Sequence, residues 1–453
     1  MRDFSYSEAI PVRPLATILL LAVAAHLLAQ QPTPPVCRYG PWEPVELFDV
    51  NTEPPVRIGP TDGRITGLTV DDGRALVIGP IFPREGPAPI DDYPREEYRI
   101  LSNVQRPVAL PPDVRHLWGA VPFLRGDTLD LFWREKTTRP EEVEDRVGAP
   151  RDALLFSRWT PDRGWSTPLR IPPTDVKAFF LLQQPMLEPG SVWRDGRGRA
   201  HLAFWAVGGI AVFAADPDSF RVDWITLAGE RFVTAPLGLA GRGDTLAVVF
   251  SEDFLGERQG NGRPSLGFFA NVSRSFDAGR TWSTPLPVPF THPRSGGPGA
   301  SVQGVGIALG PGGRLWVASR GKGAGMGSTP LAISWSDDGG ATWAEPHVVP
   351  PFASPPNLVA DECGTVHVAF TATDAVEDPQ MLADPRAVVL RWDGTADPVA
   401  DTLPREPDGV RPLLATDGDW IYVLYWVWDA QDGTNLDKIS HHLYRRRVIR
   451  ERR

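Results

Sequence analysis

The chain has few of the features that would assign it to a familiar class of protein. Two cysteines among 453 residues exclude a disulfide-dense scaffold and a zinc-type cysteine cluster. The formal net charge of −10 means that the basic surface required by a nucleic acid is missing. The sequence contains no H-E-x-x-H pattern, no serine elbow and no phosphate-binding glycine loop. We therefore expect no metal, no cofactor and no nucleic-acid partner.

Long apolar runs are also scarce, with the exception of Leu15–Ala29, which follows Arg2 and Arg13. This run is too short to span a bilayer comfortably and is typical of a secretory signal peptide. An uncleaved anchor is the alternative. The sequence thus predicts a secreted or periplasmic protein without a membrane span once the signal is removed. The predicted divisions are a signal peptide over 1–29, a linker over 30–41 and a single domain over 42–453.

Glycine, proline and tryptophan are abundant by contrast, with 44, 48 and 16 residues spread along the chain. Glycine and proline spread in this way favour many short strands joined by turns. Seven times an apolar segment leads through a glycine-centred turn into a second strand rich in β-branched and aromatic residues. The turns centre on Gly73, Gly126, Gly196, Gly243, Gly313, Gly364 and Gly418.

Each second strand is followed by a loop, a third strand, a turn and a fourth strand. Four strands per repeat predict an all-β, seven-bladed β-propeller, with six blades as the alternative. The last repeat ends after its third strand, near Ile439–Ile449, and residues 42–47 resemble a fourth strand. We therefore expect an N-terminal strand to pair with the C-terminal blade and close the ring, which would leave a monomer without exposed sheet edges.

This topology brings Cys37 to the side of the ring that carries the turn with Cys363. An even cysteine count in an exported protein allows one disulfide. Two free, buried thiols remain the alternative at this stage.

Two turns between third and fourth strands, Ser275–Trp282 and Ser336–Trp343, share the pattern S-x-D-x-G-x-T-W. The aspartate can accept hydrogen bonds from turn N–H groups, and the glycine can adopt a left-handed conformation. These motifs resemble the Asp-box (BNR) repeats of the sialidase superfamily, and the resemblance covers nearly the whole chain after the signal peptide. It implies that these aspartates stabilise the fold on the face opposite an active site.

The same resemblance suggests catalytic candidates. The family uses an aspartate as general acid in the loop after a second strand, where this chain has Asp91 and Asp92. A Glu-Pro pair that opens an inner strand in the family is matched by Glu188-Pro189. The family nucleophile is a tyrosine activated by a glutamate. Tyr425 resembles a tyrosine in the last blade of the family, but Trp426 replaces the glutamate that follows it.

Family sialidases also bind the substrate carboxylate through three arginines, whose forked donors pair with it bidentately. Arg64 stands in a segment that resembles the first of these, Arg320 ends a second strand, and Arg411 opens the inner strand of the last repeat where the family has its nucleophilic tyrosine. Arg134 follows the second strand of its repeat. Loops after second strands share one face, so these residues predict a pocket for a glycan or another polar ligand.

Two functions follow. The first is a secreted, sialidase-like exo-glycosidase that acts on glycans, and the alternative is a non-catalytic propeller that binds a glycan, a peptide or an envelope protein.

Overall fold

The computed structural model describes the residues that form the blades and the tight turns between their strands. The described residues are 35–50, 56–57, 67–80, 98–104, 108–111, 118–136, 152–171, 192–206, 209–226, 232–258, 264–291, 304–320, 329–352, 356–372, 386–401, 403, 409–428 and 439–451. The predicted signal peptide over 1–29 and the candidates Arg64, Asp91, Asp92 and Glu188 lie outside them.

Short strands from the N-terminal part of the described chain precede the repeats. They are β1 (Val36–Tyr39), β2 (Glu43–Pro44), β3 (Phe48–Asp49) and β4 (Val56–Arg57). Blade 1 then contains β5 (Gly67–Asp71), β6 (Arg74–Pro80) and β7 (Tyr98–Ser102). Blade 2 contains β8 (Trp118–Arg125), β9 (Thr128–Lys136), β10 (Asp152–Thr160), β11 (Gly164–Trp165) and β12 (Leu169–Ile171).

The next two blades each contain four strands. Blade 3 consists of β13 (Val192–Arg194), β14 (Ala200–Ala206), β15 (Gly209–Asp216) and β16 (Ser219–Thr226). Blade 4 consists of β17 (Phe232–Arg242), β18 (Thr245–Arg258), β19 (Pro264–Ser275) and β20 (Leu286–Pro287). A 3-10 turn over Pro289–Thr291 follows blade 4.

The remaining three blades complete the ring. Blade 5 has β21 (Gly304–Leu309), β22 (Leu315–Arg320), β23 (Thr329–Ser336) and β24 (His347–Phe352), with a 3-10 turn over Pro311–Gly313. Blade 6 has β25 (Asn357–Ala360), β26 (Val366–Ala372), β27 (Arg386–Trp392) and β28 (Val399–Asp401). Blade 7 has β29 (Gly409–Thr416), β30 (Trp420–Trp428) and β31 (Ile439–Glu451).

The prediction of a seven-bladed β-propeller is confirmed. Within each blade, consecutive strands pair antiparallel, as expected for strands joined by tight turns. A single pairing of Phe352 with Ala372 joins the sheets of blades 5 and 6.

The ring closes through the N-terminal part of the chain, as predicted. In β2, Glu43 and Pro44 pair with Arg445 and Tyr444 of β31. The pairing also extends further than expected, because β1 pairs with Val448–Glu451. The ring therefore includes residues from the segment over 30–41 that the sequence assigned to a linker.

Blade 1 departs from the predicted order of strands. Its fourth position is occupied by β3, which precedes the blade's own first strand in the chain and pairs with Leu101 and Ser102 of β7. The N-terminal segment thus covers the outer edges of both the last blade and the first. This arrangement corrects the expectation that every repeat except the last supplies its own fourth strand.

Apolar side chains form the core in layers between neighbouring blades. One layer joins blades 6 and 7 around Val389 and Val423, and another joins blades 7 and 1 around Leu424 and Val77. Full burial of such a side chain stabilises the fold by about 1.5–3 kcal/mol. The propeller is therefore held together mainly by packing between adjacent sheets.

Cys37 and Cys363 form a disulfide, with 6.1 Å between their Cα atoms. It joins β1 in blade 7 to the turn between the first two strands of blade 6. The structure thus selects the disulfide over the alternative of two free thiols.

Candidate functional site

The two sides of the ring differ in what they carry. We call the side with the turns between first and second strands the turn face; Arg314 of such a turn bonds Asp337 of the Ser336–Trp343 turn, so the acidic turns lie there too. Second strands run away from this side and end at the opposite one, which we call the loop face.

The first strands of all seven blades surround a central channel. It encloses about 200 Å³, and it is lined mainly by backbone and apolar side chains such as Leu68, Val121 and Leu358. Among the residues that the structure describes, those that line the channel include no ionisable side chain.

Neighbouring first strands are joined across the channel wall by side chains. Thr69 of blade 1 accepts a hydrogen bond from the backbone N–H of Leu124 in blade 2, with 2.8 Å between the heavy atoms. Asn357 of blade 6 accepts one from Leu414 N–H in blade 7 at 2.6 Å. These bonds satisfy inner-edge N–H groups that would otherwise lack a partner within a sheet.

The two acidic turns use their carboxylates in the same way. Asp277 accepts hydrogen bonds from the backbone N–H of Thr281 at 2.9 Å and from its hydroxyl at 2.7 Å. Asp338 accepts the equivalent bonds from Thr342 at 2.8 and 2.6 Å. Burial raises the pKa of each carboxyl, but the hydrogen bonds outweigh it and lower the pKa to about 2. Such carboxylates stay ionised and accept hydrogen bonds from their own turn. This suits a structural role and not acid catalysis.

The turn face also contains a repeated buried pair that the sequence analysis missed. Asp195 Oδ2 lies 2.9 Å from His201 Nε2 in blade 3, and Asp361 Oδ2 lies 3.1 Å from His367 Nε2 in blade 6. All four side chains are buried. The signal was present in the sequence as D-x-x-G-x-x-H at both positions.

The aspartates of these pairs also shape their turns. Asp195 Oδ1 accepts hydrogen bonds from the N–H groups of Arg197 and Arg199, each at 2.9 Å. Burial alone would raise the pKa of Asp195, but the hydrogen bond with His201 and the backbone donors lower it to about 2. The buried carboxylate therefore organises the turn and orients the histidine.

A second cluster joins blades 2 and 3. The buried carboxylate of Asp130 accepts hydrogen bonds from Arg158 Nε at 2.6 Å and from Arg194 Nε at 2.8 Å. Burial lowers the pKa of Arg194, and the charge of Asp130 opposes this shift. No spacing in the sequence indicates this cluster, since its members come from three different strands.

Carboxylates and arginines on the turn face are thus engaged with one another or with the backbone. Among the described residues, no group of three or more His, Cys, Asp or Glu side chains is arranged to hold a metal ion. The described part of the chain also contains no helix that is long and apolar enough to cross a bilayer. The hydrogen bonds and ion pairs described above for the turn face stabilise the ring.

Three of the predicted arginines have backbone positions at the loop face. Arg320 is the last residue of its second strand and pairs with Gly304, the first residue of the neighbouring inner strand. Arg134 lies near the end of the second strand of blade 2 and pairs with Trp118. Arg411 is the third residue of its inner strand, within a register shift between Val410 and Leu413. The structure describes the backbone of these three arginines but not their side chains.

Tyr425 is the only predicted site residue whose side chain is described, and it has no exposed surface. Its ring stacks on Tyr444, with 5.8 Å between the ring centroids and 9° between the ring planes. It belongs to the core layer between blades 6 and 7. A side chain in this position cannot attack a substrate, so the structure places Tyr425 in the core and not in a catalytic site.

No protein-family model matches the chain, and no curated protein matches it in sequence. Several solved structures resemble it in fold. An α-L-arabinofuranosidase from Fusarium graminearum, in complex with an iminosugar inhibitor, has 14% identity and a TM-score of 0.44, covering 75% of this chain and 95% of that protein. Trypanosoma rangeli sialidase has 13% identity and a TM-score of 0.39, covering 86% of this chain and 56% of that protein.

A protein of unknown function from Dyadobacter fermentans has 16% identity and a TM-score of 0.42, covering 74% of this chain and 95% of that protein. At these identities and scores the neighbours assign no activity to this chain.

Proposed function

We propose that this chain is an exported, sialidase-like propeller that binds a glycan on its loop face and acts on it as an exo-glycosidase. The observation that carries the proposal is the common position of Arg134, Arg320 and Arg411. Their backbones lie at the loop face of blades 2, 5 and 7, at the ends of two second strands and near the start of one first strand. Guanidinium groups pair bidentately with carboxylates, so arginines at one face favour an acidic sugar as ligand.

The remaining candidates lie outside the described residues and are assigned by their place in the sequence repeat. Arg64 precedes the first strand of blade 1, and Glu188 precedes the first strand of blade 3. Asp91 and Asp92 fall between the second and third strands of blade 1. We assign Asp91 or Asp92 as general acid, Glu188 as a further carboxylate of the site, and Arg64 as an additional ligand of the substrate anion. Loops that a rigid scaffold gathers at one face are the usual location of such sites.

The opposite face supports this assignment by exclusion. We propose that the two acidic turns are Asp-boxes, because their hydrogen bonds are internal and repeat from Asp277 to Asp338. Export agrees with the signal-like segment over 1–29 and with the Cys37–Cys363 disulfide, since disulfides persist in oxidising compartments. We expect a monomer that binds no nucleic acid.

A second function, glycan binding without hydrolysis, is favoured by one observation. Tyr425 is buried, and the position where the family has its nucleophile contains no tyrosine, as Gly409–Arg411 shows in the sequence. A propeller that lacks a tyrosine at this position of the last blade can still bind an acidic glycan through its arginines without cleaving it. In both functions the glycan binds on the loop face, and they differ in whether it is hydrolysed.

The test combines a glycan-binding screen with hydrolysis of fluorogenic sialosides and arabinofuranosides. Arg320→Ala should weaken binding of an acidic glycan at least about tenfold, since a charge-assisted pair contributes roughly 1.5–3 kcal/mol. The matched control is Arg314→Ala, which removes an arginine of the same blade on the turn face, where it bonds Asp337. The Arg314→Ala protein should bind the acidic glycan with the affinity of the unmodified protein.

Hydrolysis that Arg320→Ala abolishes supports the enzyme, and binding without turnover supports the second function. Neither binding nor hydrolysis of any glycan, or equal losses in both variants, would contradict the proposal.

A further inference from the structure

The strand β1 lies at the outer edge of blade 7, and only two of its side chains face inward and pack on the layer between blades 6 and 7. Its four residues alternate between exposed and half-buried, and the half-buried ones are Cys37 and Tyr39. Its backbone pairs with Val448–Glu451 at the edge of blade 7. A short edge strand with so little buried apolar surface contributes little to its own stability. Its attachment therefore depends on what Cys37 and Tyr39 bind.

Both of these side chains bind the same turn of blade 6. Cys37 is joined to Cys363 through the disulfide, and the hydroxyl of Tyr39 donates a hydrogen bond to Asp361 Oδ2 at 2.7 Å. Asp361 is the aspartate of the buried pair with His367, and the ring of Tyr39 contacts that histidine edge-on, with 5.2 Å between centroids. The strand thus connects the outer edge of blade 7 to the buried pair of blade 6.

The equivalent pair in blade 3 provides an internal comparison. Asp195 there is bonded by His201, Arg197 and Arg199, all within its own blade. The D-x-x-G-x-x-H turn therefore forms from residues of one blade. In blade 6 the same turn has an added cysteine, Cys363, and receives an added tyrosine from the N-terminal strand.

The disulfide is also accessible from outside. It borders a cavity of about 340 Å³ lined by Pro35, Thr365, Trp392 and Val399, among others. Neither Cys37 nor Cys363 is fully buried. A small dithiol can therefore reach the sulfur atoms without separating the blades.

We propose that the Cys37–Cys363 disulfide is a redox-sensitive latch that holds β1 on the closed ring, and that a dithiol reductant opens it while the blades stay folded. The thiolate of the reductant attacks one sulfur and forms a mixed disulfide, and its second thiol displaces the protein. The reductant is oxidised to a disulfide, and the protein gains two thiols and two electrons. This latch is independent of the ligand that binds the loop face.

After reduction, only the backbone pairs with 448–451 and the contacts of Tyr39 hold β1 on the ring, so the strand should open more often than in the oxidised protein. The strand β2 does not depend on the disulfide. Val45 N–H bonds Leu443 O at 2.9 Å, and the side chains of Val45 and Leu47 pack on the layer between blades 7 and 1. The latch should consequently release residues 36–40 and leave residues 43–50 in place.

Hydrogen-exchange mass spectrometry on the full chain, oxidised and after dithiothreitol treatment, tests this inference. Alkylation of two thiols establishes that the folded protein has been reduced. We expect peptides that cover 36–40 and 448–451 to lose protection by at least about tenfold, with a fall in Tm on the order of 5 °C. Peptides that cover 43–50 and the blade 3 turn over 195–201 should change little.

The double variant Cys37→Ser/Cys363→Ser should show the exchange pattern of the reduced protein and no response to dithiothreitol. Unchanged protection over 36–40 in protein with two alkylated thiols would overturn the latch. Two free thiols in protein prepared under oxidising conditions, or reduction only upon global unfolding, would do the same. If the double variant does not fold, the comparison of oxidised and reduced unmodified protein still tests the latch.

Discussion

Asp195 Oδ2 lies 2.9 Å from Nε2 of His201, and both side chains are buried in the turn face of blade 3. The carboxylate also accepts two backbone hydrogen bonds, so its loss would leave three donors without their acceptor. We predict that Asp195→Ala lowers the free energy of unfolding by about 2–4 kcal/mol. Urea denaturation is the measurement.

Asp216→Ala is the control for this variant, because Asp216 is a partly exposed partner of Arg199 in the same blade. It should cost less than about 1 kcal/mol. Equal losses of stability for the two substitutions would show that the buried pair stabilises the fold no more than the partly exposed one.

The cluster around Asp130 leads to a second prediction. Asp130→Ala would leave the buried guanidinium group of Arg194 and the partly buried one of Arg158 without their carboxylate. Breaking a buried ion pair on one side costs about 3–5 kcal/mol, so we expect a loss of stability in that range. Asp162→Ala, at an exposed ion pair 3.6 Å long in blade 2, should change it by less than about 1 kcal/mol. An unchanged denaturant midpoint for Asp130→Ala would contradict this account of how blades 2 and 3 are joined.

The acidic turns predict how stability depends on pH. The pKa values of Asp277 and Asp338 are lowered from 3.8 to about 2 in the folded protein. A lowered pKa means that the unfolded chain binds protons first, so the stabilisation is fully present above about pH 4 and is lost as pH falls through about 2. The double variant Asp277→Asn/Asp338→Asn should therefore be less stable at neutral pH and lose less stability between pH 4 and 2. The free energy of unfolding measured at several pH values tests this prediction. Parallel curves of unfolding free energy against pH for the double variant and the unmodified protein would contradict it.

The burial of Tyr425 leads to a prediction about activity. Tyr425→Phe should fold and should bind or hydrolyse a glycan as well as the unmodified protein, because the ring packs on Tyr444 and lies away from solvent. The expected loss of stability is at most about 1.5 kcal/mol, because the substitution removes one hydroxyl group and keeps the packed ring. Complete loss of glycosidase activity in a folded Tyr425→Phe protein would restore this residue as a nucleophile.

The sequence predicted the number of blades and the closure of the ring because both depend on periodicity. Seven glycine turns at similar spacing imply seven repeats, and residues 42–47 resemble a fourth strand that the last repeat lacks. The strand β1 escaped prediction because its four residues, Val-Cys-Arg-Tyr, are too few for a clear periodic pattern. The role of β3 in blade 1 was missed because a two-residue strand has no readable period.

Side-chain placement was harder to predict than strands. The second strand of blade 7 reads Trp420–Trp428 almost without polar residues, so its alternation does not reveal that Tyr425 points into the core. The contacts of Asp130 cross two blades and depend on how the sheets pack, which a linear pattern does not encode. The D-x-x-G-x-x-H repeat, by contrast, was visible in the sequence and predicts its buried pairs once the turns are recognised.

Cross-linking of strand neighbours tests most directly whether the N-terminal segment closes the ring, on which the assignment of the two faces depends. Glu43 faces Arg445 in the pairing of β2 with β31. Residues opposite each other in antiparallel strands have Cβ atoms about 4.5–5.5 Å apart, within reach of a disulfide. In the Cys37→Ser/Cys363→Ser background, Glu43→Cys/Arg445→Cys should form a disulfide rapidly in folded monomer, whereas Glu43→Cys/Arg447→Cys should not. Failure of the first pair to link, or equal linking of both, would contradict the closed ring.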